Sequence, residues 1–117
     1  MAQTRDGADA VLAKIAELPA FQDVATRLHE VITGANPDLV PRLWYGMPGY
    51  AKAKSKPVLV FFRVDDTERV TLGVTEHATH WREDGADHQL MPSAWFLTGL
   101  DTPTEARVAE IVRRATA

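Results

Sequence analysis

The stretch "PVLVFFRVDDTERVTLGV", residues 57–74, decides the fold. Its first half is dense in β-branched and aromatic residues, which suit a pleated, buried surface better than a helix. In an extended chain Val58, Val60, Phe62 and Val64 fall on one side, Leu59 and Phe61 on the other. Both sides are apolar, so the residues predict a central strand covered on both faces. Asp65-Asp66-Thr67-Glu68 is a polar turn, after which Val70, Leu72 and Val74 alternate inward. So short a link joins antiparallel neighbours; a parallel pair needs a long crossover.

Working outward, further strands are expected at residues 43–45, 49–53 and 94–98. Upstream of them, Val11, Leu12, Ile15 and Leu18 recur at helical spacing after Asp9. Pro19 suits the first turn of a second helix, whose stripe is Phe21, Val24, Leu28, Val31 and Ile32. Gly34, ahead of Asn36-Pro37, reads as its left-handed stop. At the far end Thr102-Pro103-Thr104-Glu105 reads as a capping box with Thr102 as the cap. Val108, Ile111, Val112 and Ala115 form the buried stripe of that last helix, with Arg113 and Arg114 at its C-terminal end. The order predicts an α+β fold: an antiparallel sheet of about four to five strands packed against N-terminal helices and a C-terminal helix. One domain over residues 1–117 is expected, with residues 1–7 as a flexible start.

Composition narrows the function. No cysteine is present, which removes disulfides, thiolate metal sites and cysteine nucleophiles. The apolar run from Pro57 to Phe62 is too short to span a bilayer, and the N-terminal residues lack a signal-like apolar segment. A cytoplasmic protein without a membrane partner is the expectation. A net charge of −3 gives no overall cationic excess, which argues against nucleic acid.

The most unusual segment is "LWYGMPGYAK", residues 43–52. Glycines permit sharp bends and proline stiffens them, so Gly46-Met47-Pro48-Gly49 is expected to be a fixed turn. Trp44, Tyr45 and Tyr50 would then stand around a concavity, the tyrosines at its rim, with Phe61 or Phe62 as its floor. Aromatic side chains with a polar tip suit a ligand pocket, and the candidate binding residues are Trp44, Tyr45, Gly46, Met47, Pro48, Tyr50, Phe61 and Phe62. The competing reading is that these aromatics fill the core.

This motif, with the "KPVLVFF" strand, the "RVTLGVTEHATHW" and "MPSAWFLTGLD" segments and the capped last helix, resembles the YdhG-like family. The resemblance runs from Phe21 onward, and its specific part is Gly46-Met47-Pro48. It implies a frataxin-like arrangement of helices on an antiparallel sheet. It also implies an iron chaperone as an alternative function, because some relatives carry that proposal. Related YjbR-like proteins share the architecture and carry a DNA-binding label. Frataxins hold iron on an acidic helix ridge, whereas the first helical region here has only Asp6, Asp9, Glu17 and Asp23, interrupted by Lys14.

Three other patterns carry chemistry. His77 and His80 share a face if their segment is a helical turn, and with Asp84 and His88 they make a candidate set for iron or another divalent metal. As ordinary surface residues they need no metal. Lys52, Lys54 and Lys56 alternate, giving a cationic stripe or edge-strand protection if extended. No Gly-x-Ser-x-Gly, phosphate-binding glycine loop or His-Glu-x-x-His is present, His29 reads as a surface or interhelical residue, and Asp65 and Asp66 diverge on their turn. No residue nominates itself as catalytic. The expectation is a non-enzymatic domain binding a small molecule or a protein at the Trp44–Tyr50 segment.

Overall fold

A computed structural model describes residues 7–117 of the chain. Helices α1 (Gly7–Ala16) and α2 (Gln22–Ala35) precede strands β1 (Val40–Trp44), β2 (Met47–Ala51), β3 (Val58–Asp65), β4 (Arg69–Val74) and β5 (Ala94–Leu97), and helix α3 (Thr102–Ala115) closes the order. The strands form one antiparallel meander, β1-β2-β3-β4-β5, with the 57–74 hairpin at its centre. The expected α+β fold is the observed one. The flexible start expected at residues 1–7 lies outside the described residues except at Gly7, which opens α1. Gly7 also sits so close to Pro41 that a side chain there would meet its carbonyl. Asp6 lies outside the described residues as well.

The register fixes which side chains share a face. Tyr50 pairs with Val60, Val60 with Val74, Phe62 with Leu72 and Val64 with Val70. This face meets Val11 and Ile15 of α1, Leu28 and Ile32 of α2, and Val108, Ile111 and Val112 of α3 in a single apolar core. Among the described residues the other face carries no helix: Arg63 and Phe96 are exposed there and Phe61 is half-buried. The expectation that β3 is covered on both sides is therefore corrected. Its second apolar row exists because aromatic rings shield one another on an open sheet face. A bulge between Tyr50 and Ala51 also turns Leu59 into the core, beside Val60.

The helix ends differ from their sequence reading in instructive ways. Pro19 lies in the α1–α2 link, and α2 begins after Phe21, whose backbone is left-handed (φ 60°). The Gln22 side chain secures that corner by donating to the carbonyls of Ala16 (3.1 Å) and Leu18 (2.8 Å). Gly34 is inside α2, and Asn36 ends it: its N–H donates to Ile32, while its side chain accepts from Asp38 N and donates to Thr116 Oγ1. Asp101, not Thr102, caps α3, its carboxylate accepting from the N–H and hydroxyl of Thr104. Glu105 takes no part in a capping box because Arg27 claims both its oxygens at 2.8 Å.

Candidate functional site

The candidate segment is a β-hairpin with a two-residue loop. Tyr45 (φ 52°) and Gly46 (φ 75°) are both left-handed, and Trp44 pairs with Met47 across them. Two such residues twist a loop the way flanking strands require. The turn is thus Tyr45-Gly46, and the expected turn over residues 46–49 is corrected: Met47, Pro48, Gly49 and Tyr50 lie within β2. The reason is the left-handed pair, which a glycine after a tyrosine allows one residue earlier than Pro48 would suggest.

Strand alternation then separates residues expected to line one concavity. Tyr50 points to the helices and is 0% exposed. Its ring stacks near that of Phe62 (6.4 Å, 19°), and its hydroxyl is hydrogen-bonded to His29 Nδ1 at 2.8 Å. Burial pushes the Tyr50 phenol well above its ordinary range and lowers the His29 imidazole, so the pair is neutral at pH 7. Tyr50 is a core residue, and its placement at a pocket rim is corrected. His29 is half-buried and bridges α2 to the sheet. Gly46, Met47, Pro48 and Phe62 line a small cleft on the helix side, together with Lys14, Ile15 and Leu18.

Trp44, Tyr45 and Phe61 remain on the helix-free side and do come together. The Trp44 ring is 4.8 Å from Tyr45, edge-on, and 5.1 Å from Phe61. Two glycines inside the strands clear the ground for them. A side chain at Gly73 would stand 2.5 Å from the tip of the Phe61 ring, so that ring lies across β4 where a neighbour would otherwise project. At Gly49 a side chain would meet Trp44 and Val58 at 3.0 Å. Tyr45, at the tip, is 85% exposed.

Arginines flank this aromatic surface. Arg42, paired with Gly49, donates to the carbonyls of Lys54 (2.9 Å) and Lys56 (2.8 Å), tying down the β2–β3 loop. Arg63 and Arg69 both approach Asp65, at 2.8 and 3.7 Å, and Arg69 lies 4.5 Å over the ring of Phe96. Burial alone would raise the Asp65 carboxyl; the Thr71 hydroxyl with Arg63 and Arg69 outweighs it and holds Asp65 below the usual range. Asp65 thus faces two guanidinium groups, and Arg69 also meets Glu68 at 3.4 Å. Sequence reading missed Arg42, Arg63, Arg69, Gly73 and Phe96. A glycine inside a strand opposite an aromatic was the available signal.

The proposed metal ligands do not converge. The 75–93 segment has no helix, so the three-residue spacing of His77 and His80 gives them no common face. His77 lines a surface cavity of about 300 Å³ with Lys52, Lys56 and Leu59. Asp84 faces Arg114 at 3.6 Å, and His88 Nδ1 accepts from Leu90 N. Among the described residues no three His, Asp or Glu side chains are grouped to hold a metal. Lys52, Lys54 and Lys56 lie in the bends between two inner strands, so neither the extended stripe nor edge protection applies. Among the described residues no helix is long and apolar enough to cross a membrane. Comparisons with protein-family models, curated proteins and solved structures find no match.

Proposed function

We propose that this domain is a non-enzymatic binding module whose site is the helix-free face around Trp44, Tyr45 and Phe61. Its ligand is a small molecule that presents a flat aromatic ring and a negative charge. The observation that carries the reading is the Phe61 ring laid over Gly73 beside Trp44, which offers π-faces on a rigid sheet. Rings already held in place lose little freedom when a ligand stacks on them. The charge on the ligand follows from the arginines: Arg42, Arg63 and Arg69 outnumber Asp65 and Glu68, the carboxylates that pair with them. The same excess disfavours a second copy of the chain, which would set arginines against arginines. Membership of the YdhG-like family, which Gly46-Met47-Pro48 suggests, is part of this proposal.

Adenosine monophosphate is a suitable probe, with adenosine as its uncharged counterpart. Tryptophan emission should be quenched saturably by the nucleotide and less by the nucleoside. Trp44→Leu and Arg42→Ala should each weaken binding about tenfold or more, on the scale of one stacking or charge-assisted contact. Quenching that is absent, or that persists unchanged in Trp44→Leu, would refute the site.

A further inference from the structure

We infer a second site, in the cavity between the β2–β3 loop and the end of α3, for a small phosphate monoester with a short apolar body. The cavity of about 300 Å³ is lined by Lys52 and Lys56 from the loop and by His77 and Thr79 from the segment after β4. Leu59 and Ala115, both buried, form its apolar floor. The sequence suggested these side chains for two unrelated roles, His77 for a metal and the lysines for a cationic stripe. The fold brings them to one place instead, where two ammonium groups repel a metal ion and attract an anion. No aspartate or glutamate lines the cavity, and among the described residues neither lysine has an ion pair.

Both walls are held by their backbone. Arg42 donates to the carbonyls of Lys54 and Lys56, and the Lys56 N–H closes onto Ala53 at 3.1 Å, so the loop is fixed while its ammonium groups stay free. Opposite, the Thr75 hydroxyl donates to the Val58 carbonyl at 2.5 Å and accepts from the His77 N–H at 3.2 Å. A helix C-terminus opposes an anion, and Thr79 counters this. Its N–H donates to the Ala115 carbonyl at 2.9 Å, and its hydroxyl to an Ala117 oxygen at 3.1 Å. A phosphate monoester has three acceptor oxygens and a charge of about −1.5 to −2 near pH 7, which matches two ammonium groups and one imidazole N–H. A carboxylate, with one charge, leaves a lysine unmatched. An apolar cavity of about 150 Å³ admits benzene, so this one has room for a phosphate and a body of about four carbons. The cavity shares no lining residue with the aromatic surface around Trp44; Arg42 reaches both, here through loop carbonyls alone.

The test is a titration of the isotope-labelled full chain with butyl phosphate, which has no ring to stack on Trp44. The amide signals of Leu59, His77 and Thr79 should shift saturably while the Trp44 indole signal stays in place. Butyrate, with one charge, should bind at least about tenfold more weakly. Lys52→Gln and Lys56→Gln, both at exposed positions, should keep the native spectrum and each lose about tenfold in affinity for butyl phosphate, on the scale of one charge-assisted contact. The double variant should not bind it. No saturable shift at the three amides, or unchanged affinity in the double variant, or equal affinity for butyrate, would overturn the site. Inorganic phosphate binding as tightly as butyl phosphate would overturn it too, because the apolar floor would then have no part in recognition.

Discussion

Tyr50 shows how little separates a ligand-binding tyrosine from a structural one in a sequence. Nothing in "GMPGYAK" distinguishes them; the partner that decides, His29, lies 21 residues away on α2. Because the hydroxyl is buried and bonded, Tyr50→Phe should cost about 1–3 kcal/mol, the penalty for stranding the imidazole nitrogen. Tyr50→Ala should cost more, about 3–5 kcal/mol, through the cavity it opens. Denaturant unfolding of both variants checks the order. The pair also sets a pH dependence. Burial lowers the His29 pKa below its unfolded value, so the unfolded chain takes up a proton first as pH falls. Stability from this residue is present above about pH 6.5 and declines below it as the unfolded imidazole charges. Melting temperatures between pH 7.5 and 5.5 should fall more steeply for the wild type than for His29→Gln; parallel curves would contradict the assignment.

At the scale of elements, periodic and short-range signals were legible and long-range choices were not. The β3–β4 hairpin was readable because its alternation and its turn are both local, and the stripe Val108, Ile111, Val112 for the same reason. The helix caps were misplaced because several residues competed for each role. Thr102 fits a capping box only if Glu105 turns back, and Glu105 is held instead by Arg27, 78 positions away. Asp101 then takes the cap, so Asp101→Ala should cost about 0.5–2 kcal/mol and Thr102→Ala clearly less. Chemical denaturation of the two variants decides between them. The Tyr45-Gly46 turn was hidden by Pro48, a stronger punctuator that shapes the strand's pairing instead. Gly46→Ala forces a Cβ into φ 75° and should cost about 1 kcal/mol, read as a lower denaturation midpoint. The candidate site was legible only as a cluster: the sequence brought Trp44, Tyr45 and Phe61 together, but only strand register showed that Tyr50 and Phe62 belong to the other face.

For the whole molecule the governing fact is that, among the described residues, three helices cover one side of a five-stranded sheet and leave the other open. Composition could not reveal this, because an open face bearing Trp44, Phe61 and Phe96 counts as apolar as a covered one. Charge made the same face hard to see, since a net charge of −3 averages away the arginines gathered on it. The adjacent residues Phe61 and Phe62 measure the asymmetry directly. Phe62 is fully buried between Tyr50 and Leu72, while Phe61 lies half-buried over Gly73. Phe62→Ala opens a cavity inside the core and should cost about 3–5 kcal/mol. Phe61→Ala uncovers a ring's worth of sheet that water already reaches, so the loss should be near 1 kcal/mol, the ordinary effect of a partly exposed change. The contrast should reverse for binding, with Phe61→Ala weakening adenosine monophosphate in a protein that still unfolds near the wild-type midpoint. Equal destabilisation by the two substitutions would mean that something covers the second face in solution, and the open-sheet architecture would then fail along with the site built on it.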